Sequence, residues 1–152
     1  MTDRHSFTDE EWQLITAAPY VVAFGAMAFD PTLTSLAAEI ISLKKIVQEA
    51  AGHYGDNVLV QASVQDTEVF DQQAREHISG MQLSGALEMF QHVLTSVDLK
   101  AARDEAQDYR YFLYEVGERM TEAAGEGILG LGPKTSDREY DFLSRLEAWL
   151  GI

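Results

Sequence analysis

The chain has no cysteine. Disulfides, thiolate metal sites and cysteine nucleophiles are therefore excluded. Basic residues are scarce: 11 Lys and Arg stand against 25 Asp and Glu, for a net charge of −14. Residues 46–99 are the most one-sided, with Arg75 facing eight acids. Such a field repels nucleic-acid phosphates and anionic lipid surfaces, and it attracts cations or a basic protein. A bilayer-length apolar run is also missing. The uncharged stretch "LITAAPYVVAFGAMAF", residues 14–29, contains Pro19 and falls short of the roughly 18–20 residues that span a membrane. It reads as a buried core helix whose alanines and glycine let a neighbour approach closely. The start, "MTDRHSFTDEEW", lacks the basic, apolar and cleavage-site succession of a signal peptide. Together with the missing cysteine, this makes a cytoplasmic location the expectation.

What is present suits one globular domain. The chain has 152 residues, 46% hydrophobic and 24% charged, enough to bury a core. Only residues 1–7 are expected to be flexible. Helix A begins at "FTDEEW", where Thr8 and Glu11 form a capping box, and it runs through Trp12, Ile15, Val22 and Phe29 with a kink expected at Pro19. Asp30 and Pro31 provide an N-cap and first residue for helix B. Leu33, Leu36, Ile40, Leu43, Val47 and Ala50 then form its apolar stripe, which stops at Gly52 and Gly55.

Residues 57–77 carry two signals. Val58, Val60, Ala62 and Val64 alternate as in a strand, whereas Leu59, Ala62, Val69 and Phe70 fit a helix face. The helical neighbours and the abundant Gln, Glu and Ala favour a helix C. Helix D covers 84–95, with Leu87, Phe90 and Leu94 inside. Helix E is the most regular: Leu99, Ala102, Ala106, Tyr109, Leu113, Val116, Met120 and Ala123 keep a three-four spacing. The expected fold is an all-α, single-domain bundle of five or six helices over residues 1–152.

"GEGILGLGPKTS", residues 125–136, resembles a phosphate-binding loop. Both nucleotide fingerprints need a strand leading in, and here a helix leads in. Ser136 and Glu139 instead form a second capping box, opening a helix F with Phe142, Leu143, Leu146, Trp149 and Leu150 on its apolar face. The glycines read as a helix stop and turn.

No nucleophile has a sequence-evident base. Glu49/His53 and Glu88/His92 share i, i+4 spacing, one residue longer than the Glu-x-x-His of di-iron bundles, and read as surface ion pairs. The acids Asp66, Glu68 and Asp71, the acids Asp104, Glu105 and Asp108, and the acids Asp137, Glu139 and Asp141 read as solvated faces, each with the spacing to hold a hard cation. "YRYFLYE", residues 109–115, holds more large apolar residues than one seam can use. Either helix E is buried on several sides or some of its aromatics form a contact surface. The second case makes Tyr111, Phe112, Tyr114, Glu115 and Glu118 candidates for binding a protein partner or a second copy of the chain, with a basic surface favoured on the partner.

"AFGAMAFDPTLTSLAAEIISL" and "MTEAAGEGILGLGPKTSDREYDFLSRLEAWLGI" resemble the two halves of tellurite-resistance B-like helical domains. The resemblance implies an all-α, bacterial, cytoplasmic protein linked to stress responses, with acidic turn residues that bind a cation. Asp30, Asp137 and Glu139 would be those residues. The first turn departs from the family's Asp-Gly, having Asp30-Pro31, and the second is lengthened by the glycines. The reading is therefore a non-catalytic acidic protein that acts by protein binding and needs no cofactor. Its alternative is a cation-binding or metal-dependent bundle enzyme using the three acids.

Overall fold

The computed structural model describes residues 2–28, 36–65, 83–125 and 137–152. Six α-helices account for most of them: α1 Asp9–Ala28, α2 Leu36–Gly52, α3 Val58–Gln65, α4 Leu83–Lys100, α5 Arg103–Gly125 and α6 Asp137–Leu150. There is no strand among the described residues. The chain is an all-α bundle, and α5 is its axis, with α1, α2, α3, α4 and α6 packed around it. No helix among the described residues is long and apolar enough to cross a membrane.

The start of α1 is fixed by its own side chains. The Thr8 amide donates to Glu11 Oε2 at 2.8 Å, and the Glu11 amide donates to Thr8 Oγ1 at 3.2 Å, closing the expected capping box. Glu11 also ties α1 to α4, receiving bonds from Lys100 Nζ at 2.5 Å and Ser96 Oγ at 3.2 Å. Residues 2–7 before it lie against the bundle. Thr2 is buried and its hydroxyl and amide both meet the Glu105 carboxylate, while Phe7 packs beside Trp12 with ring centroids 5.9 Å apart.

Pro19 lies inside α1. It has no amide hydrogen, so the Ile15 carbonyl one turn earlier loses its helical donor. The Tyr109 hydroxyl of α5, fully buried, donates to that carbonyl at 2.7 Å. The exception in one helix is thus corrected by a side chain of another. Further along the same contact, Gly117 lets α5 approach α1 and α6. A Cβ there would stand 2.6 Å from Leu146 Cδ2 and 3.3 Å from Val22 Cγ1.

Of residues 57–64, which carry both strand and helix signals, 58–64 are helical and Asn57 is the cap. Asn57 caps α3 by accepting from the Val60 amide at 3.0 Å, and Leu59, Val60, Ser63 and Val64 are buried. The Glu49/His53 pairing does not form. α2 ends at Gly52, so His53 is not one helical turn from Glu49.

The expected helix E begins too early. Ala101 and Ala102 separate α4 from α5, and the Ala102 carbonyl accepts the first bond of α5, from the Ala106 amide at 2.8 Å. Leu99, assigned to the seam, is 78% exposed at the end of α4. From Ala106 to Met120 the seam is buried as expected. The Asp30 cap, helix C beyond residue 65, the acids Asp66, Glu68 and Asp71, and the glycine loop with Ser136 lie outside the described residues.

Two outcomes follow for stability. Tyr109→Phe should cost about 1–3 kcal/mol by leaving the Ile15 carbonyl unpaired in a dry site, and less in a Pro19→Ala background, where an amide is restored. Urea titration of the four proteins in that cycle reads the coupling; equal losses in both backgrounds would show that the two residues act separately. The second concerns acid. Lys100 and the Thr8 amide pull the Glu11 carboxyl from 4.5 down to about 2. A carboxyl depressed in the folded state stabilises it above the unfolded value and loses that effect as pH falls through the folded one. The melting-temperature gap between the parent and Glu11→Gln should therefore narrow between pH 5 and 2.

Candidate functional site

α5 shows two faces. Tyr109, Phe112, Leu113, Val116 and Met120 form the buried one. Tyr111, Tyr114, Glu115, Glu118 and Glu122 recur at three-four spacing on another, and they line an open cleft of about 590 Å³ together with Tyr54, Arg119, Glu147 and Ile152. The structure thus brings together four of the five residues that the sequence singles out. Phe112 is the exception and is corrected here: it is fully buried, with the Tyr109 ring 6.1 Å from its own. It nevertheless supports the cleft, since the Tyr54 ring stands edge-on to it at 6.1 Å and 70°.

The other walls come from elements with no pattern in common with α5. Tyr54 sits in the turn after α2, where Gly52 has ended the helix. The Gln61 side chain of α3 fastens that turn by donating to the carbonyls of Ala51 and Tyr54, at 2.7 and 3.1 Å. Glu147 comes from α6. Gly151, at φ +68°, turns the chain off that helix, and its amide and that of Ile152 both donate to the Glu147 carbonyl. Arg110 holds the same end by donating to the Leu150 carbonyl at 2.6 Å while pairing with Asp98 at 2.5 Å. The sequence offers no local signal for Tyr54 or Glu147. Glu122 extends the spacing of Tyr111, Glu115 and Glu118 by one step and could have been found from it.

Charge is unevenly compensated. His53 Nδ1 and Arg119 Nε both reach Glu115 Oε1, at 2.6 and 2.9 Å, and Arg119 also approaches Glu49 at 3.5 Å. Glu118, Glu122 and Glu147 line the same cleft with no ion pair among the described residues. Burial, then the Glu122 and Glu115 charges, hold the Glu118 carboxyl above its ordinary range. Burial and the neighbouring carboxylates push the Tyr54 and Tyr114 hydroxyls up to about 12, so both rings stay neutral donors at physiological pH. The cleft combines neutral aromatic faces with an excess of negative charge, the chemistry that receives an ammonium or guanidinium group.

No family model, curated protein or solved structure matches this chain. The geometry alone therefore bears on function.

For the cation alternative, Asp30 lies outside the described residues, and Asp137 and Glu139 fall in the first turn of α6 with side chains outside them. Among the described residues no group of three or more His, Asp or Glu is placed to hold a metal ion. Glu88 and His92 are exposed on α4.

Crowded carboxylates have a measurable sign. A carboxyl raised in the folded state opposes folding once it is ionised, and that opposition vanishes below its unfolded value. Glu118→Gln should raise the thermal midpoint at pH 7, and the gain should disappear as pH falls below 4.5. Melts at both pH values check this; a gain that persists in acid would trace to packing instead of charge.

Proposed function

We propose that the protein is a non-catalytic binding protein whose cleft on α5 captures a basic segment of a partner protein. One observation carries the reading. Three tyrosines and four glutamates meet in one open groove, with Arg119 alone supplying opposite charge within its lining. A lysine or arginine side chain lying against Tyr111 and Tyr114 would gain ring contact and carboxylate pairing together. Neither contact needs a rearrangement of the bundle, because α5 is held from beneath by its buried stripe. The resemblance to tellurite-resistance B-like domains would place this binding in the bacterial cytoplasm during a stress response. A second copy of the chain fits the cleft less well, since two molecules that each carry −14 repel.

Binding to a lysine- and arginine-rich peptide, followed by fluorescence anisotropy, tests the reading. Tyr111→Ala and Tyr114→Ala should each weaken it by roughly 1–2 kcal/mol and leave the helical circular dichroism intact. The charge pair Glu118→Gln with Glu122→Gln should weaken it further at low salt than at high salt. Loss of fold without loss of affinity in the tyrosine variants would return these rings to a structural role.

A further inference from the structure

A second groove opens beside the first. It is about 380 Å³ and is lined by His53, Tyr54, Asp56, Asn57, Asp104 and Asp108, among others. Tyr54 belongs to both linings. Its hydroxyl feels Glu115 and Glu118 of the first groove and Asp108 of the second, all three raising it. The two grooves therefore meet at one ring. Most of their acids lie along one helix, from Asp104 in the first turn of α5 to Glu122 in its last turns, with Asp56 before α3 and Glu147 on α6 added. At ~1.5 Å of rise per residue that interval is about 27 Å.

We infer that the two grooves form one continuous docking track, and that its occupant is an extended basic segment of a protein partner, long enough to engage both halves at once. The inference rests on the reading above and deepens it. Length and charge placement argue for it together. An extended chain covers about 3.3 Å per residue, so the track accommodates about eight residues. A single ammonium group would satisfy one groove and leave the other's carboxylates facing solvent. A segment with cations spaced along it meets Asp104 and Asp108 at one end and Glu118 and Glu122 at the other. Tyr54 is the shared surface over which it passes. His53 of the second groove bonds through Nδ1 to Glu115 Oε1 of the first at 2.6 Å, a second link between the two linings.

Once one end is bound, the second engagement is intramolecular and proceeds at the effective concentration set by the peptide itself. This separates a track from a single groove. Two synthetic lysine-rich peptides of equal charge density, one of about four residues and one of about ten, bracket the track's length. The longer one should bind at least about tenfold more tightly to the parent protein. Asp104→Asn with Asp108→Asn should cut the longer peptide's affinity roughly fivefold or more and leave the shorter one's affinity for the Glu118 end in place. Glu118→Gln with Glu122→Gln should weaken both peptides. Glu10→Gln with Glu88→Gln removes the same charge from exposed positions lining neither groove, and should change neither affinity.

If both peptides bind equally, or if the aspartate pair has no effect on the longer one, the track falls while the single groove stands. If the Glu10 and Glu88 pair weakens binding as much as the others do, the affinity is a property of net charge and the track falls. If neither peptide binds the parent, the groove itself is not a basic-segment site and both readings fall.

Discussion

The bundle depends on a hydrogen bond that its sequence makes necessary. Pro19 sits where α1 crosses α5, and it leaves the Ile15 carbonyl without a donor. Water cannot reach that carbonyl, because Ile15 and Tyr109 are both fully buried. The Tyr109 hydroxyl at 2.7 Å is the solution. It is also a restriction on geometry, because a hydroxyl must reach one carbonyl and so sets how α5 lies along α1. Gly117, two turns further on, can then bring the backbones close, and the positions that face away from α1 are set at the same time. The cleft residues are among them.

One helix therefore does two jobs through its periodicity. The stripe through Tyr109, Leu113, Val116 and Met120 faces the core, with Phe112 broadening it beneath Tyr54. The stripe through Tyr111, Tyr114, Glu118 and Glu122 faces the cleft. A helix with a broad buried face has little rotational freedom, and the Tyr114 hydroxyl adds bonds to Glu118 and Glu147 within the cleft. Tyr54 is fixed differently, from below by Phe112 and along its turn by Gln61. Rigid placement of the aromatic surfaces lowers the ordering cost of binding.

Much of this architecture was legible in the residues. Thr8 and Glu11 announced the start of α1, and the three-four spacing from Ala106 to Met120 announced α5. The errors have physical causes. Leu99 and Ala102 continue that spacing by coincidence across a helix break, and apolar periodicity carries no information about where hydrogen bonding stops. Phe112 shares the aromatic run with Tyr111 and Tyr114, and excess aromatics on a helix signal either a second packed neighbour or a surface. Only the tertiary neighbours distinguish the two for each residue. Tyr54 and Glu147 reach the cleft through tertiary packing, which no local pattern encodes. The partner for the Ile15 carbonyl was equally invisible, although Pro19 showed that one was required.

The acids of the bundle differ in how their charge is compensated. Where acids serve the fold, they have partners: Glu11 has Lys100 and its cap, Glu105 has Thr2, Asp98 has Arg110, and Glu115 has His53 and Arg119. Glu118, Glu122 and Glu147 share one groove without an ion pair among the described residues; the Tyr114 hydroxyl bonds to Glu118 and Glu147, and burial, then the Glu122 and Glu115 charges, hold the Glu118 carboxyl above its ordinary range. A group whose ionisation opposes folding carries a stability cost, which the Tyr114 hydrogen bond to Glu118 offsets in part. Burial penalises the ionised form first and the neighbouring carboxylates add to it, so a positive charge placed beside Glu118 would act against the electrostatic part of that cost.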